Sequence, residues 1–286
     1  MARIGIIGGS GLYDIEGIKI NETRKINTPF GDPSDEYVIG TLSGKEIVFL
    51  PRHGRGHRIS PSRINYRANI FGMKKLGVEH IISVSACGSL KENIKPLDFV
   101  LPLQFVDRTN QARKYTFFDD GITAHISFAH PVCEGLVNLV AEETKKVKQG
   151  VHIGGTYLNM EGPQFSTLAE SNLYRAWGMD VIGMTNMAEA RLAREAEICY
   201  ATLAAVTDYD CWCESEEDVT IDAIIGNLRK NVKNAKKILK GSITKISDKR
   251  TCPCKDALKY AIVTDPKAIS QETRDRLGIL IGRHIK

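Results

Sequence analysis

The stretch DVIGMTNMAEARLAREAEICYATLAAV, Asp180 to Val206, decides the fold. Asp180 to Met184 is a short β-rich run that stops at Thr185 and Asn186. Met187 to Ala196 is built of strong helix formers, and Tyr200 to Val206 is apolar throughout. Strand, helix and buried strand in succession make a β-α-β unit, which points to an α/β sheet protein.

The same rhythm extends outward. Arg3 to Ile7 ends in Gly8 and Gly9, Glu46 to Leu50 ends at Pro51, His80 to Ser85 leads into Ala86-Cys87-Gly88-Ser89, and Asp98 to Leu103 follows a proline. All four read as buried strands that stop in loop residues. With 286 residues, 42% of them apolar and 26% charged, the chain can bury a sizeable core. Without a repeat, a low-complexity segment or a Gly/Ser linker, one domain over residues 1–286 is the simplest organisation.

A net charge of +5 suits small anions and falls short of the concentrated basic patch that nucleic acids require. The most basic run, Asn227 to Lys245, carries Leu228, Val232, Ala235, Ile238 and Leu239 at the spacing of an amphipathic helix, so its lysines read as a solvated face. Apolar stretches stay well short of the ~18 residues of a membrane span. The N-terminus turns glycine-rich before a signal-peptide core develops, so a cytoplasmic protein is expected.

Ligands of open α/β sheets bind beyond the carboxyl ends of the strands, and there the polar residues gather. Gly9-Ser10-Gly11 lacks the third glycine of a dinucleotide fingerprint and the lysine of a P-loop; it is either a plain turn or a cradle for one anion. Arg52 offers a planar fork for phosphate oxygens and His53 a further hydrogen bond, although a basic surface loop looks similar. Asp208 and Asp210 follow the strand Tyr200–Val206. In extended chain they point the same way, and crowding raises at least one pKa, giving a neutral acid that donates a proton. A helix cap or metal pair is the alternative, but no His lies near in sequence to complete a metal site.

Together the segments GGSGL, RHGRGH, SACGSL, EGPQFST, GMTNMAEARLAREA and TDYDCW resemble the trimeric purine nucleoside phosphorylase superfamily, in order, from the first strand to at least Ile225. The likeness is greatest to its branch that cleaves 5'-methylthioadenosine. It implies a mixed β-sheet flanked by helices and phosphorolysis of a nucleoside, with inorganic phosphate as co-substrate and neither cofactor nor metal. By resemblance, Ser10, Arg52, His53, Ser85, the backbone N–H of Ala86 and Thr185 bind phosphate. Phe165 stacks on the base with Ser166 alongside, and Met184 touches the ribose. Asp208 protonates N7 and Asp210 holds the purine edge; members selective for 6-oxopurines carry Asn at the position of Asp208.

Ile221, Ile224 and Ile225, on one helical face, match the lining of the methylthio pocket, with helix core as the alternative; His57 lies nearby. His125 matches a residue lent to the neighbouring subunit, so the resemblance implies a homotrimer or a dimer of trimers. The segment from about Gly241 onward, with Cys252-Pro253-Cys254, departs from the family pattern and reads as a C-terminal extension. Of seven cysteines, Cys211/Cys213 and Cys252/Cys254 form two C-x-C pairs, a weak zinc signal. Idle thiols lead, disulfides follow and zinc comes last.

Overall fold

A computed structural model describes residues 3–9, 12, 15–110, 113–213 and 221–285, with the backbone alone for 221–223. The first half of the chain forms strands β1 (Arg3–Gly8), β2 (Lys19–Arg24), β3 (Tyr37–Leu42) and β4 (Lys45–Pro51), helix α1 (Tyr66–Lys75), and strands β5 (Val78–Ser89), β6 (Phe99–Leu101) and β7 (Gln104–Arg108). The second half forms α2 (Glu134–Thr144), β8 (Val151–Ile153), β9 (Thr156–Met160), α3 (Leu168–Ala176), β10 (Val181–Gly183), α4 (Asn186–Glu195), β11 (Cys199–Asp208), α5 (Ile221–Lys245) and α6 (Gln271–Ile281).

The strands join in one mixed sheet flanked by helices, ordered β2-β3-β4-β1-β5-β10-β9-β7, with β11 on β5 and β6 and β8 beyond it. Four strands, β4, β1, β5 and β11, run parallel side by side. Their sequences are near-continuous apolar runs because both faces are covered. Their carboxyl ends therefore open on one edge, which brings Pro51, Gly8, Ser89 and Asp208 together. The Arg52 amide donates to the Gly8 carbonyl at 2.9 Å, tying the turn after β4 to that after β1.

Three details differ from the sequence reading. The deciding unit keeps its order, but β10 pairs antiparallel with the far end of β5 while β11 pairs parallel along its length, so the two are not neighbours. Ala86 to Ser89 lie inside β5 rather than in a loop after it, because β11 continues the ladder through Gly88. The run Asp98 to Leu103 holds only β6, which ends at Leu101 before Pro102, a residue with no N–H to extend a ladder, and β7 begins beyond it at Gln104.

The basic amphipathic run does form a helix. In α5, Ala235, Ile238, Leu239 and Ile243 are buried against β11 and α2, and the helix continues unbroken through Gly241. Farther on, Cys254, Leu258, Ile269, Leu277 and Leu280 join the same core cluster as the central strands. Among the described residues, no helix is long and apolar enough to cross a membrane.

Candidate active site

A cavity of about 330 Å³ opens at the carboxyl ends of the parallel strands. Its walls bring together Gly9, Arg52, His53, His57, Ser85, Ala86, Phe165, Met184, Thr185, Asp208, Asp210 and Ile224. Most of the residues expected to act together therefore meet in one place, from segments up to about three-quarters of the chain apart.

Asp208 closes β11. Its Oδ2 accepts from the Thr207 hydroxyl at 2.6 Å and its Oδ1 from the Asp210 amide at 2.9 Å. Asp210 is not on extended chain, as supposed from its i+2 spacing, but in a 3-10 turn with φ of 52°. Its Oδ2 accepts from the buried Ser171 hydroxyl of α3 at 2.5 Å, and α3 begins with a reciprocal cap between Thr167 and Glu170. Burial raises the pKa of both carboxyls, opposed by these hydrogen bonds; the Asp208 charge adds a smaller upward push on Asp210. Desolvation more than crowding thus favours a neutral acid here.

The anion end is built differently from the simple fork. Arg52 is buried and gives Nε to Glu189 Oε1 at 2.5 Å, Nη2 to Glu189 Oε2 at 3.2 Å and to Ser83 Oγ at 2.5 Å, and Nη1 to the Val84 carbonyl at 3.0 Å. Only one of its five N–H groups is left to face the cavity. Burial pulls its pKa down, but Glu189 carries it above the ordinary value, so the guanidinium stays protonated and is held in a buried ion pair with Glu189.

His53 is neutral near pH 7: burial, Arg52 and His57 lower its pKa to about 4, although the Ile59 carbonyl pulls the other way. Nδ1–H donates to that carbonyl at 2.8 Å, which leaves Nε2 as an acceptor rather than the expected donor. His57 stacks on it, ring centroids 4.2 Å apart. Thr185 precedes α4 without capping it, and its buried hydroxyl has no hydrogen-bond partner. An anion beside it would meet that hydroxyl and the positive end of α4.

The remaining expectations divide. Phe165, 61% exposed, and Met184 line the cavity; Ser166 is buried behind it, its Oγ 3.8 Å from Met160 Sδ. Ile224 lines the cavity and Ile225 lies outward, 40% exposed. Ser10 and the Ile221 side chain lie outside the described residues. His125 lines a second cavity beside Cys133 and Cys254. Sequence reasoning missed four residues of α5: Leu228, Asn231, Val232 and Ala235 form a wall. Asn227 and Asn231 donate to the Thr207 and Val206 carbonyls, both at 2.8 Å, and pin that wall to β11.

Residues 3–244 match the family model described as the phosphorylase superfamily. The chain belongs to the phosphorylase superfamily. Among its relatives in this superfamily is the S-methyl-5'-thioadenosine phosphorylase of Geobacter sulfurreducens, 56% identical over 282 residues and matched over 99% of both chains. The enzyme of that name from Koribacter versatilis is 54% identical over 283 residues, covering 99% of this chain and 97% of its own. In solved structures the phosphorylase fold recurs in a methylthioadenosine phosphorylase from an Antarctic soil metagenomic library, with a TM-score of 0.93, 49% identity and 98% of each chain covered. The methylthioadenosine phosphorylase of Schistosoma mansoni in complex with adenine superposes with a TM-score of 0.85 at 37% identity, over 91% of this chain and 96% of that one.

Proposed function

We propose that this phosphorylase cleaves 5'-methylthioadenosine with inorganic phosphate, giving adenine and 5-methylthioribose 1-phosphate. The observation that carries the reading is the pairing, in one cavity, of two buried carboxyls with a buried arginine held by Glu189 and an unpartnered threonine hydroxyl. Full-length relatives bearing that activity in their names support it.

Phosphate is itself the nucleophile, so the protein's task is to place it beneath C1' of the ribose. Arg52 supplies the charge, Thr185 and Ser85 donate hydroxyl hydrogens, and His53 Nε2 accepts the proton of a hydrogen phosphate; Ser10 and the Ala86 backbone complete the cradle. As the C–N bond breaks, electrons flow onto the base. Neutral Asp208 donates its proton to N7, so adenine leaves neutral, a contribution of typically ~10²- to 10⁴-fold.

The purine edge sets selectivity. Adenine presents an N7 acceptor and an N6 donor, which suit a protonated Asp208 beside an ionised Asp210. A 6-oxopurine presents O6, an acceptor that an ionised carboxylate repels. Phe165 stacks on the ring, Ser166 supports it, and Met184 packs on the ribose. Ile224, with His57 beside it on the cavity wall, reads the methylthio group, a role the family likeness extends to Ile221. His125 is assigned to a neighbouring subunit's site in a homotrimer or dimer of trimers. Catalytic efficiency with methylthioadenosine, adenosine and inosine tests this: the first should lead, and a preference for inosine would overturn the roles given to Asp208 and Asp210.

A further inference from the structure

Cys133, Cys199, Cys252 and Cys254 come from three separate parts of the chain. Cys133 caps the N-terminal end of α2, Cys199 opens β11, and the C-x-C pair enters the 3-10 turn Pro253–Asp256. Their sulfurs all lie within 4.8 Å of one another, with Cys199 Sγ and Cys252 Sγ 3.2 Å apart, and none is in a disulfide. Three of the four are buried and Cys252 is half-buried. A mononuclear tetrahedral zinc site, with Zn–S bonds of ~2.3 Å, spaces its sulfurs by ~3.8 Å. Four thiols converging at that separation make a poor apolar core and a good ligand set.

We propose that these four cysteines bind one zinc ion as a tetrathiolate site. Each thiol gives up a proton as its Zn–S bond forms, so binding releases four protons and moves no electrons. The surroundings suit the resulting net negative charge. Cys133 stands at the positive end of α2, with no side-chain cap satisfying that terminus. Across the ladder, Cys199 faces His80, whose buried Nδ1 has no hydrogen-bond partner and offers a donor. A cavity of about 710 Å³ has Cys133, Cys252 and Cys254 on its walls and gives an ion a way in.

Four protein ligands close the coordination sphere, so the site is structural rather than catalytic. Its position agrees: β11 carries Cys199 at one end and Asp208 at the other, and its ten residues, at ~3.3 Å each, separate the two by roughly 30 Å. The ion clamps the C-terminal C-x-C segment to the start of β11 and of α2. That segment lies beyond residue 244, where the family match ends.

Elemental analysis of the full-length protein, purified without chelator or added metal, should find ~1 zinc per chain. Exchange for cobalt should give the intense thiolate charge-transfer bands and visible bands of tetrahedral CoS₄. The double variant Cys252→Ser/Cys254→Ser should lose the zinc, whereas Cys211→Ser/Cys213→Ser should keep it. Removing zinc from the wild type with a chelator should lower Tm by ~5 °C or more. Wild-type protein free of metal would overturn the proposal, whether alkylation finds the four thiols free or paired in two disulfides, and that result does not depend on any variant folding.

Discussion

Gly88 and Asp208 meet across the β5–β11 pair so closely that a Cβ on Gly88 would lie 2.9 Å from Asp208 Oδ1 and 3.3 Å from the Asp210 Cβ. The carboxyls hold their positions because that residue has no side chain. Gly88→Ala should therefore push Asp208 off its bonds to Thr207 and the Asp210 amide while leaving the sheet intact. We expect kcat to fall by ~10-fold or more, since a displacement of order 1 Å is costly in a positioned site. Steady-state kinetics with a circular dichroism control checks it; unchanged kcat would show that the carboxyl geometry is not limiting.

Asp208→Asn removes the transferable proton but keeps the shape. Turnover should drop ~10²- to 10⁴-fold, with KM changed far less. The basic limb of the wild-type kcat profile, where Asp208 loses its proton, should vanish from the residual activity of the variant. A variant retaining wild-type turnover removes Asp208 as the acid.

The same carboxyl predicts a stability trade. Burial raises the Asp208 pKa in the fold, whereas the unfolded chain titrates near ~3.9. The fold thus binds the proton more tightly than the unfolded chain, and stability is lost as pH rises from that value through the raised one. Asp208→Asn escapes this loss, so it should be more stable than wild type at pH 7, by a margin that shrinks below about pH 4. Denaturant titrations of both proteins at the two pH values decide; a margin that grows on acidification contradicts the assigned direction.

Thr185 separates binding from folding. Its hydroxyl has no partner, so Thr185→Val should leave stability unchanged or slightly improved. The KM for phosphate should rise ~10-fold or more, the worth of a hydrogen bond to a charged group. Loss of Tm with unaltered phosphate KM would show the hydroxyl to be structural.

Glu189 is the opposite case. Glu189→Ala leaves the Arg52 guanidinium buried without its counter-charge, and should cost about 3–5 kcal/mol of stability. Urea unfolding measures this, and a change under about 1 kcal/mol would mean that Arg52 finds solvent or a second acceptor.

The sequence carried the site wherever an apolar run ends in polar residues, because parallel strands deliver their ends to one edge. Arg52, His53, Thr185, Asp208 and Asp210 were legible for that reason. What Arg52 does was not: its partner Glu189 is 137 residues away, and a fork free for phosphate looks the same in sequence as one already holding a carboxylate. The neutral state of His53 likewise depends first on its burial, then on Arg52 and the stacked His57, acting against the Ile59 carbonyl, and burial is set only by the fold.

Periodicity placed α5 and its solvated lysines but did not say what its apolar face meets: the turns with Leu228 and Val232 line the cavity, Ala235 lines it from the core, and Ile238, Leu239 and Ile243 are core. Strand β2 went unseen because KINETR is exposed throughout and has no buried face to impose alternation. The cysteines were only partly legible. Spacing offered only a weak signal linking the two C-x-C pairs; in the fold Cys252 and Cys254 are joined by Cys133 and Cys199, while Cys211 sits against the Ser166 carbonyl beside the active site.

Phosphate-dependent release of adenine from 5'-methylthioadenosine tests the central claim most directly. Adenine should appear only when phosphate is present, in equal amount with methylthioribose 1-phosphate. Equal release without phosphate would make the enzyme a hydrolase and contradict the assignment of Arg52, His53 and Thr185 to a phosphate nucleophile.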